Sequence, residues 1–83
     1  QKLELDADAT VQYYALSRQI EAGDEGAIER MITAHSPILR MTAAWYLGAR
    51  LDQSAARSGV ERLSKDELEP VRNAAMAVLE QFG

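Results

Sequence analysis

The 83-residue chain contains no cysteine, only one histidine and only two prolines. The absence of cysteine excludes disulfide bonds and cysteine-ligated zinc or iron–sulfur sites. No second ligand stands at a metal-binding spacing from His35, and no nucleophile is placed for a catalytic triad. No apolar run approaches the roughly 20 residues that a membrane-spanning helix needs. We therefore expect no cofactor, no metal, no membrane span and no enzymatic activity.

Positive charge is also scarce, because 9 Lys and Arg stand against 13 Asp and Glu, a net charge of −4. Nucleic-acid-binding proteins usually carry a basic patch that neutralises phosphates, so we expect no nucleic-acid partner. Seven carboxylates group near predicted helix starts, where the helix dipole favours anions, and we interpret them as caps rather than acid–base pairs. The cytoplasm is the favoured compartment, and the periplasm is the alternative if Gln1 follows a removed signal peptide.

Hydrophobic periodicity predicts an all-α fold of about five helices in a single domain, 1–83. The predicted helices span 9–22, 25–35, 37–51, 52–64 and a last segment that begins between 67 and 70 and ends at 82. Residues 1–8 are expected to form an extended lead-in. Asp8, Asp24, Ser36 and Asp52 are predicted N-caps, and Gly23 is a predicted helix stop.

Each predicted helix has an apolar stripe that we expect to face the core. The members are Ala9, Tyr13, Leu16 and Ile20; Ala27, Ile28, Met31 and Ile32; Ala56, Val60 and Leu63; and Leu68, Val71, Ala75, Val78, Leu79 and Phe82. The third helix is apolar nearly all the way round, which is typical of a helix surrounded by others. We therefore predict that it is the central element, and that Gly59 in the fourth helix allows a close helix contact.

The chain contains an internal repeat with an offset of 32 residues, measured from Leu39 to Val71 (71 − 39). The same offset relates Arg40 to Arg72, Ala43 to Ala75, Leu47 to Leu79, Ile28 to Val60 and Met31 to Leu63. A period shared across a pair of helices is typical of a unit that stacks to bury its apolar face.

These two segments resemble the HEAT repeat, in the short bacterial form that is also found in phycobilin lyase subunits. The matching residues are Pro37, Leu39, Arg40, Ala43, Ala44, Leu47 and Gly48, and then Val71, Arg72, Ala75 and Leu79. Pro70 stands one position late, and Glu80 replaces the glycine. The resemblance implies an α-solenoid fragment of roughly two and a half antiparallel helix pairs: a capping helix 9–22, one unit 24–51 and a second unit 52–83. It also implies that Arg40 and Arg72 pack in a ladder between units.

The resemblance favours a non-catalytic protein-interaction or scaffolding module that uses its second helices. Met41, Trp45 and Asn73 are the expected contacts, with Arg40 and Arg72 as anchors for an acidic segment. Trp45 has a second interpretation, in which it is buried against the first or fifth helix. The expected partner is another protein or a second copy, as a homodimer. The alternatives are an accessory subunit of an enzyme, as in lyase-type relatives of this family, and less favourably a nucleic-acid binder.

Overall fold

The computed structural model describes residues 7–83, and this part of the chain folds into five α-helices without a strand. The helices are α1 (Ala7–Glu21), α2 (Gly26–Ile32), α3 (Pro37–Gly48), α4 (Ser54–Leu63) and α5 (Glu69–Phe82). The predicted all-α fold is confirmed. The predicted extended lead-in lies outside the described residues over 1–6 and is wrong for residues 7 and 8, which already belong to α1.

Local capping chemistry explains three of the boundaries. The Ser36 hydroxyl oxygen accepts a hydrogen bond from the Leu39 backbone N–H at 3.3 Å, with Pro37 in the first helical position. The N-cap position of α2 is Glu25, one residue after the predicted Asp24, but Asp24 Oδ1 accepts from the Gly26 N–H at 3.0 Å and so satisfies an orphan donor of α2. Gly23 ends α1 with a φ of 97°, a left-handed conformation that favours glycine.

The predicted caps Asp8 and Asp52 are wrong. Asp8 lies inside α1 and cannot cap it. The α3–α4 turn continues to Gln53, whose N–H donates to the Arg50 carbonyl at 2.9 Å, so α4 begins only at Ser54. Gln53 occupies the N-cap position and makes no side-chain capping hydrogen bond.

The helices α1, α3 and α5 lie side by side and run parallel. Near its start, α3 reaches the segment before α5 through Arg40 and Asp66, and near its end Gly48 lies against Val78. Helix α2 contacts α1, α3 and α4, and α4 contacts α3 and α5. Helix α3 thus contacts all four other helices, which confirms the predicted central position.

The core lies between these helices and is entirely apolar among the described residues. Its largest fully buried side chains are Met31, Leu39, Leu47, Val60, Val71 and Val78. The inward sets predicted for α2 and α4 are confirmed. Leu68 and Phe82 were expected inward and are exposed, because Leu68 precedes the first turn of α5 and Phe82 lies in its last turn, at the edge of the packed helices.

Two glycines bring neighbouring helices close together. A Cβ added to Gly59 would lie 3.2 Å from Leu47 Cδ1 and 3.3 Å from Ile28 Cγ2, so α4 approaches both elements closely, as predicted. The approach is tighter at Gly48, where a Cβ would lie 2.6 Å from Val78 Cγ1. The spacing of α3 and α5 therefore depends on a residue without a side chain at position 48.

Candidate interaction surface

The most prominent surface feature is a pair of exposed aromatic rings. Trp45 on α3 is 46% exposed and Phe82 on α5 is 52% exposed. Their ring centroids lie 6.3 Å apart with the planes at 90°, the edge-to-face arrangement that aromatic quadrupoles favour. Trp45 therefore contacts α5 without being buried against it, and the interpretation that places Trp45 in the core is wrong.

The side of α3 that carries Trp45 has no charged residue. Helical spacing places Ile38, Thr42, Trp45 and Ala49 along one side of α3, at steps of four, three and four. We define the α3–α5 face as these four residues together with Met41, Asn73, Ala77, Gln81 and Phe82. None of its nine side chains is ionisable, although 27% of the chain is charged. Arg40 is the single charged residue of α3.

The predicted contact residues have different environments on this face. Asn73, on α5, is exposed. Met41 is partly buried and packs against the core with one side. Ile38, Ala49 and Phe82 were not predicted contacts, although each is exposed. Ile38 and Ala49 lie two turns and one turn from Trp45 on the same side of α3, and this spacing could have indicated them from the sequence. Phe82 lies in the last turn of α5.

The guanidinium of Arg40 is held within the protein. Its Nε and Nη2 donate to the two carboxylate oxygens of Asp66 at 2.9 and 3.3 Å, and its Nη1 donates to the carbonyls of Ala34 and His35 at 2.7 and 3.2 Å. The side chains of Arg40 and Asp66 are each only 12% exposed. An arginine so occupied is not available to anchor an acidic partner, and we leave Arg40 out of the contact surface.

Arg72 repeats part of this arrangement. Its Nη1 donates to the Asp66 carbonyl at 2.8 Å, six residues before it, just as Arg40 Nη1 reaches the carbonyl of Ala34, six residues before Arg40. The 32-residue offset relates Ala34 to Asp66 as well as Arg40 to Arg72. Asp66 thus accepts hydrogen bonds from both arginines, from Arg40 through its carboxylate and from Arg72 through its backbone carbonyl. The sequence did not indicate this role.

A cleft of about 290 Å³ opens beside this cluster, lined by Ile32, Thr33, Arg40, Arg62, Leu63, Asp66 and Glu67. Its two arginines are already paired, Arg40 with Asp66 and Arg62 with Glu29. The hydrogen bond to Glu29 raises the pKa of Arg62. The charged residues that line the cleft therefore join parts of the fold: Arg40 binds Asp66 in the turn before α5, and Arg62 of α4 binds Glu29 of α2.

A second polar cluster, which the sequence did not indicate, joins α1 to α3. The Tyr46 hydroxyl donates to Glu21 Oε2 at 2.7 Å, Arg50 forms an ion pair with the same carboxylate, and the Arg50 guanidinium lies 4.0 Å from the Tyr46 ring centroid. Burial and the Glu21 carboxylate raise the pKa of Tyr46 to about 12. Hydrogen bonds from Tyr46 and Arg50 lower the pKa of Glu21. A phenol held neutral and a carboxylate held ionised make a structural link between the helices.

Among the side chains that the structure describes, those of residues 9–83, no group of three or more histidine, aspartate and glutamate residues is placed to hold a metal ion. No helix of this part of the chain combines the length and apolar character needed to cross a membrane. Comparison of the chain with protein-family models, curated proteins and solved structures gives no match. The functional interpretation therefore depends on the surface itself, above all on the uncharged α3–α5 face.

Proposed function

We propose that this chain is a non-catalytic protein-interaction module that binds an apolar segment of another protein on its α3–α5 face. The observation that carries the proposal is the Trp45–Phe82 pair, two large aromatic side chains about half exposed at the centre of an uncharged surface. Tryptophan is among the residues most enriched in interaction hot spots, and interface cores are depleted in charge.

The architecture that we infer for this module is HEAT-like, with α2–α3 and α4–α5 as successive helix pairs and α1 as a half unit. Two observations support it. The 32-residue offset relates residues of both helices of a pair, and the arginine-to-carbonyl hydrogen bond recurs at the same offset. In such a stack the second helices form one continuous side, and here α3 and α5 carry the proposed contact face.

Several features of the α3–α5 face favour a protein ligand. Its aromatic rings are held in an edge-to-face pair, so a partner gains large apolar contact with little loss of side-chain freedom. Asn73 and Gln81 supply hydrogen-bonding groups at its edge, as the polar rim of an interface does. The apolar side chain of Met41, partly buried against the core, is flexible and adapts to irregular ligand shapes.

Selection of helical peptides from a displayed library tests this proposal. The full chain serves as bait, and the affinity of each selected peptide is then measured for the wild type and for the variant Trp45→Ser. We expect the selected peptides to share an apolar stripe, and we expect Trp45 fluorescence to shift to the blue when they bind, because the indole leaves water. Tyr14→Ser, a change of another exposed aromatic side chain on α1, is the control and should keep binding.

Stability measurements separate lost binding from lost folding. Trp45 has about half of its surface buried, so we expect Trp45→Ser to lower the free energy of unfolding by about 1–3 kcal/mol, and circular dichroism verifies that the variant stays folded. Peptides that bind wild type and Trp45→Ser with equal affinity, or that leave the Trp45 emission unchanged, would refute the proposal.

A further inference from the structure

A small pocket opens between α1 and α3, and we call it the α1–α3 pocket. Its volume is about 70 Å³. Three residues of α1 and three of α3 line it: Ala9, Thr10, Tyr13, Ile38, Leu39 and Thr42. Ile38 and Thr42 also belong to the α3–α5 face, on the side of α3 that carries Trp45. The pocket therefore adjoins that face directly and extends it toward α1.

The lining of the α1–α3 pocket is suited to an apolar group. None of the lining residues is an aspartate, glutamate, lysine, arginine or histidine. Ala9 and Leu39 are 5% and 1% exposed, so the pocket ends on the hydrophobic core. The Thr42 hydroxyl donates its hydrogen to the Ile38 carbonyl at 2.8 Å, within α3. A charged group that entered the pocket would lose its hydration without compensation, whereas an apolar group gains contact.

The Tyr13 wall of the pocket is held in place by its neighbours. Its ring packs edge to face on the ring of Tyr46, with centroids 5.7 Å apart and planes at 88°. Tyr46 is fixed in turn by its hydrogen bond to Glu21 and by the Arg50 guanidinium over its ring. A wall that is ordered before binding loses little side-chain freedom when a ligand arrives. The pocket is therefore preorganised for a contact.

The size of the pocket decides which side chain fits. A cavity of about 150 Å³ accommodates a benzene ring. The α1–α3 pocket, at about 70 Å³, has about half that volume. An aliphatic side chain such as that of leucine, isoleucine or methionine fits, and an aromatic ring does not. The exposed rings of Trp45 and Phe82 set no such limit, so the two parts of the surface differ in the side chains that they accept.

The pocket and the aromatic pair lie along the same helix. The midpoint between Ile38 and Thr42 is position 40, five residues before Trp45, which corresponds to about 7.5 Å along α3. On a ligand helix that lies along α3, two residues four positions apart are separated by about 6 Å. Four positions is the spacing on one face of a helix that comes closest to this separation.

We infer that the α1–α3 pocket is the specificity site of the α3–α5 face. A partner helix places an aliphatic side chain in the pocket and, four residues away, an apolar side chain on the rings of Trp45 and Phe82. The inference rests on the protein-binding function proposed above and names the chemistry of the partner. A partner with an alanine, an aromatic or a charged residue at the pocket position binds more weakly.

A double-mutant cycle between peptide and protein tests the inference. The probe is the tightest of the helical peptides selected on the wild type, and each of its apolar residues is changed in turn to alanine. We expect one aliphatic residue to raise the dissociation constant about tenfold or more when it is removed, because a buried aliphatic group is lost. In the protein, Thr42→Met fills the pocket with its own side chain. The unchanged peptide should then bind about tenfold more weakly, while the peptide without that aliphatic residue should bind both proteins equally.

Thr33→Met is the matched control for Thr42→Met. The Thr33 hydroxyl also donates to the carbonyl four residues earlier, that of Glu29, at 2.7 Å. Thr33 follows the last residue of α2 and does not line the pocket. Thr33→Met should therefore leave every dissociation constant unchanged. Isothermal titration calorimetry measures the constants, and circular dichroism verifies that both variants stay folded.

The outcomes separate the inference from the proposed function. A coupling of about tenfold between Thr42→Met and one aliphatic peptide residue establishes the pocket as the specificity site. Effects that simply add, or a peptide whose sensitive residues are all aromatic, overturn the inference. If Trp45→Ser weakens binding and Thr42→Met shows no coupling, the α3–α5 face binds its partner without the pocket, so the proposed function stands and the inference is wrong. If Trp45→Ser leaves binding unchanged, the proposed function fails and the inference fails with it.

Discussion

The Asp66 carboxylate offers the most direct test of how the turns hold the helix pairs together. It accepts hydrogen bonds from Arg40 Nε, Arg40 Nη2 and the Leu68 backbone N–H, the last at 2.9 Å. With both side chains 12% exposed, this ion pair is nearly buried. Removing one partner of a buried pair costs about 3–5 kcal/mol, because the remaining charge loses its compensation.

We expect Asp66→Ala to lower the free energy of unfolding by about 3 kcal/mol, the lower end of that range, because water reaches the freed Arg40 guanidinium in part. Asp66→Asn keeps an acceptor for the Leu68 N–H and loses the charge, so about 1.5–2 kcal/mol is expected. For a domain of this size the total stability is about 4–12 kcal/mol, so either change is large.

The chain contains its own control, the ion pair between Arg62 and Glu29. It also has two hydrogen bonds between guanidinium and carboxylate, but its side chains are 53% and 57% exposed. Exposed pairs contribute little to stability, so Glu29→Ala should cost much less than Asp66→Ala. Urea unfolding followed by circular dichroism measures all three variants. If Asp66→Ala costs no more than Glu29→Ala, burial does not distinguish the two pairs and the reasoning fails.

Three further changes probe the helix contacts. Gly48→Ala should destabilise by about 1–2 kcal/mol, because crowding against Val78 outweighs the roughly 1 kcal/mol gain in helix propensity; a denaturation midpoint that rises would contradict this. The pKa of Tyr46 is raised to about 12 from 10, so the neutral phenol stabilises the fold below pH 10 and this contribution is lost as the pH rises from about 10 to 12. The denaturation midpoint of Tyr46→Phe should therefore depend less on pH in that window than that of the wild type. A variant whose midpoint falls with pH as steeply as that of the wild type would contradict the stabilising role of the Tyr46 phenol. The pKa of Glu21 is lowered, so its ionised carboxylate stabilises the fold above pH 4.5, and this stabilisation is lost as the pH falls through the lowered pKa. We therefore expect the denaturation midpoint of Glu21→Gln to depend less on pH below 4.5 than that of the wild type.

Most of the fold could be predicted from the sequence, because local signals specify it. Ser36 and Pro37 mark the start of α3 through capping chemistry, and the apolar stripe of α2 is wholly buried as its period predicts. Helix ends were less predictable. Backbone bonds in the α3–α4 turn, and not the residue type of Asp52, decide where α4 begins.

The candidate site was predictable only in part. Large apolar residues on one flank of α3 predicted that Trp45 has an unusual environment, but its exposure depends on how far the last turn of α5 extends beside it. The partners of Arg40 and Tyr46 lie 26 and 25 residues away in sequence, at Asp66 and Glu21. Side-chain pairs at such distances follow from the packing of helices, which periodicity within one helix does not contain.

The way in which α1 is attached has a consequence for the order in which the protein opens. Its only buried described side chain is that of Ala9, and Tyr13, Leu16 and Ile20 are partly buried against the core. Elements with few buried contacts open at a lower cost than the global unfolding free energy. In hydrogen exchange we therefore expect the amides of α1 to exchange first and together, while those of α3, enclosed by four helices, exchange last through global unfolding. The chain then behaves as a stable four-helix unit with one detachable helix.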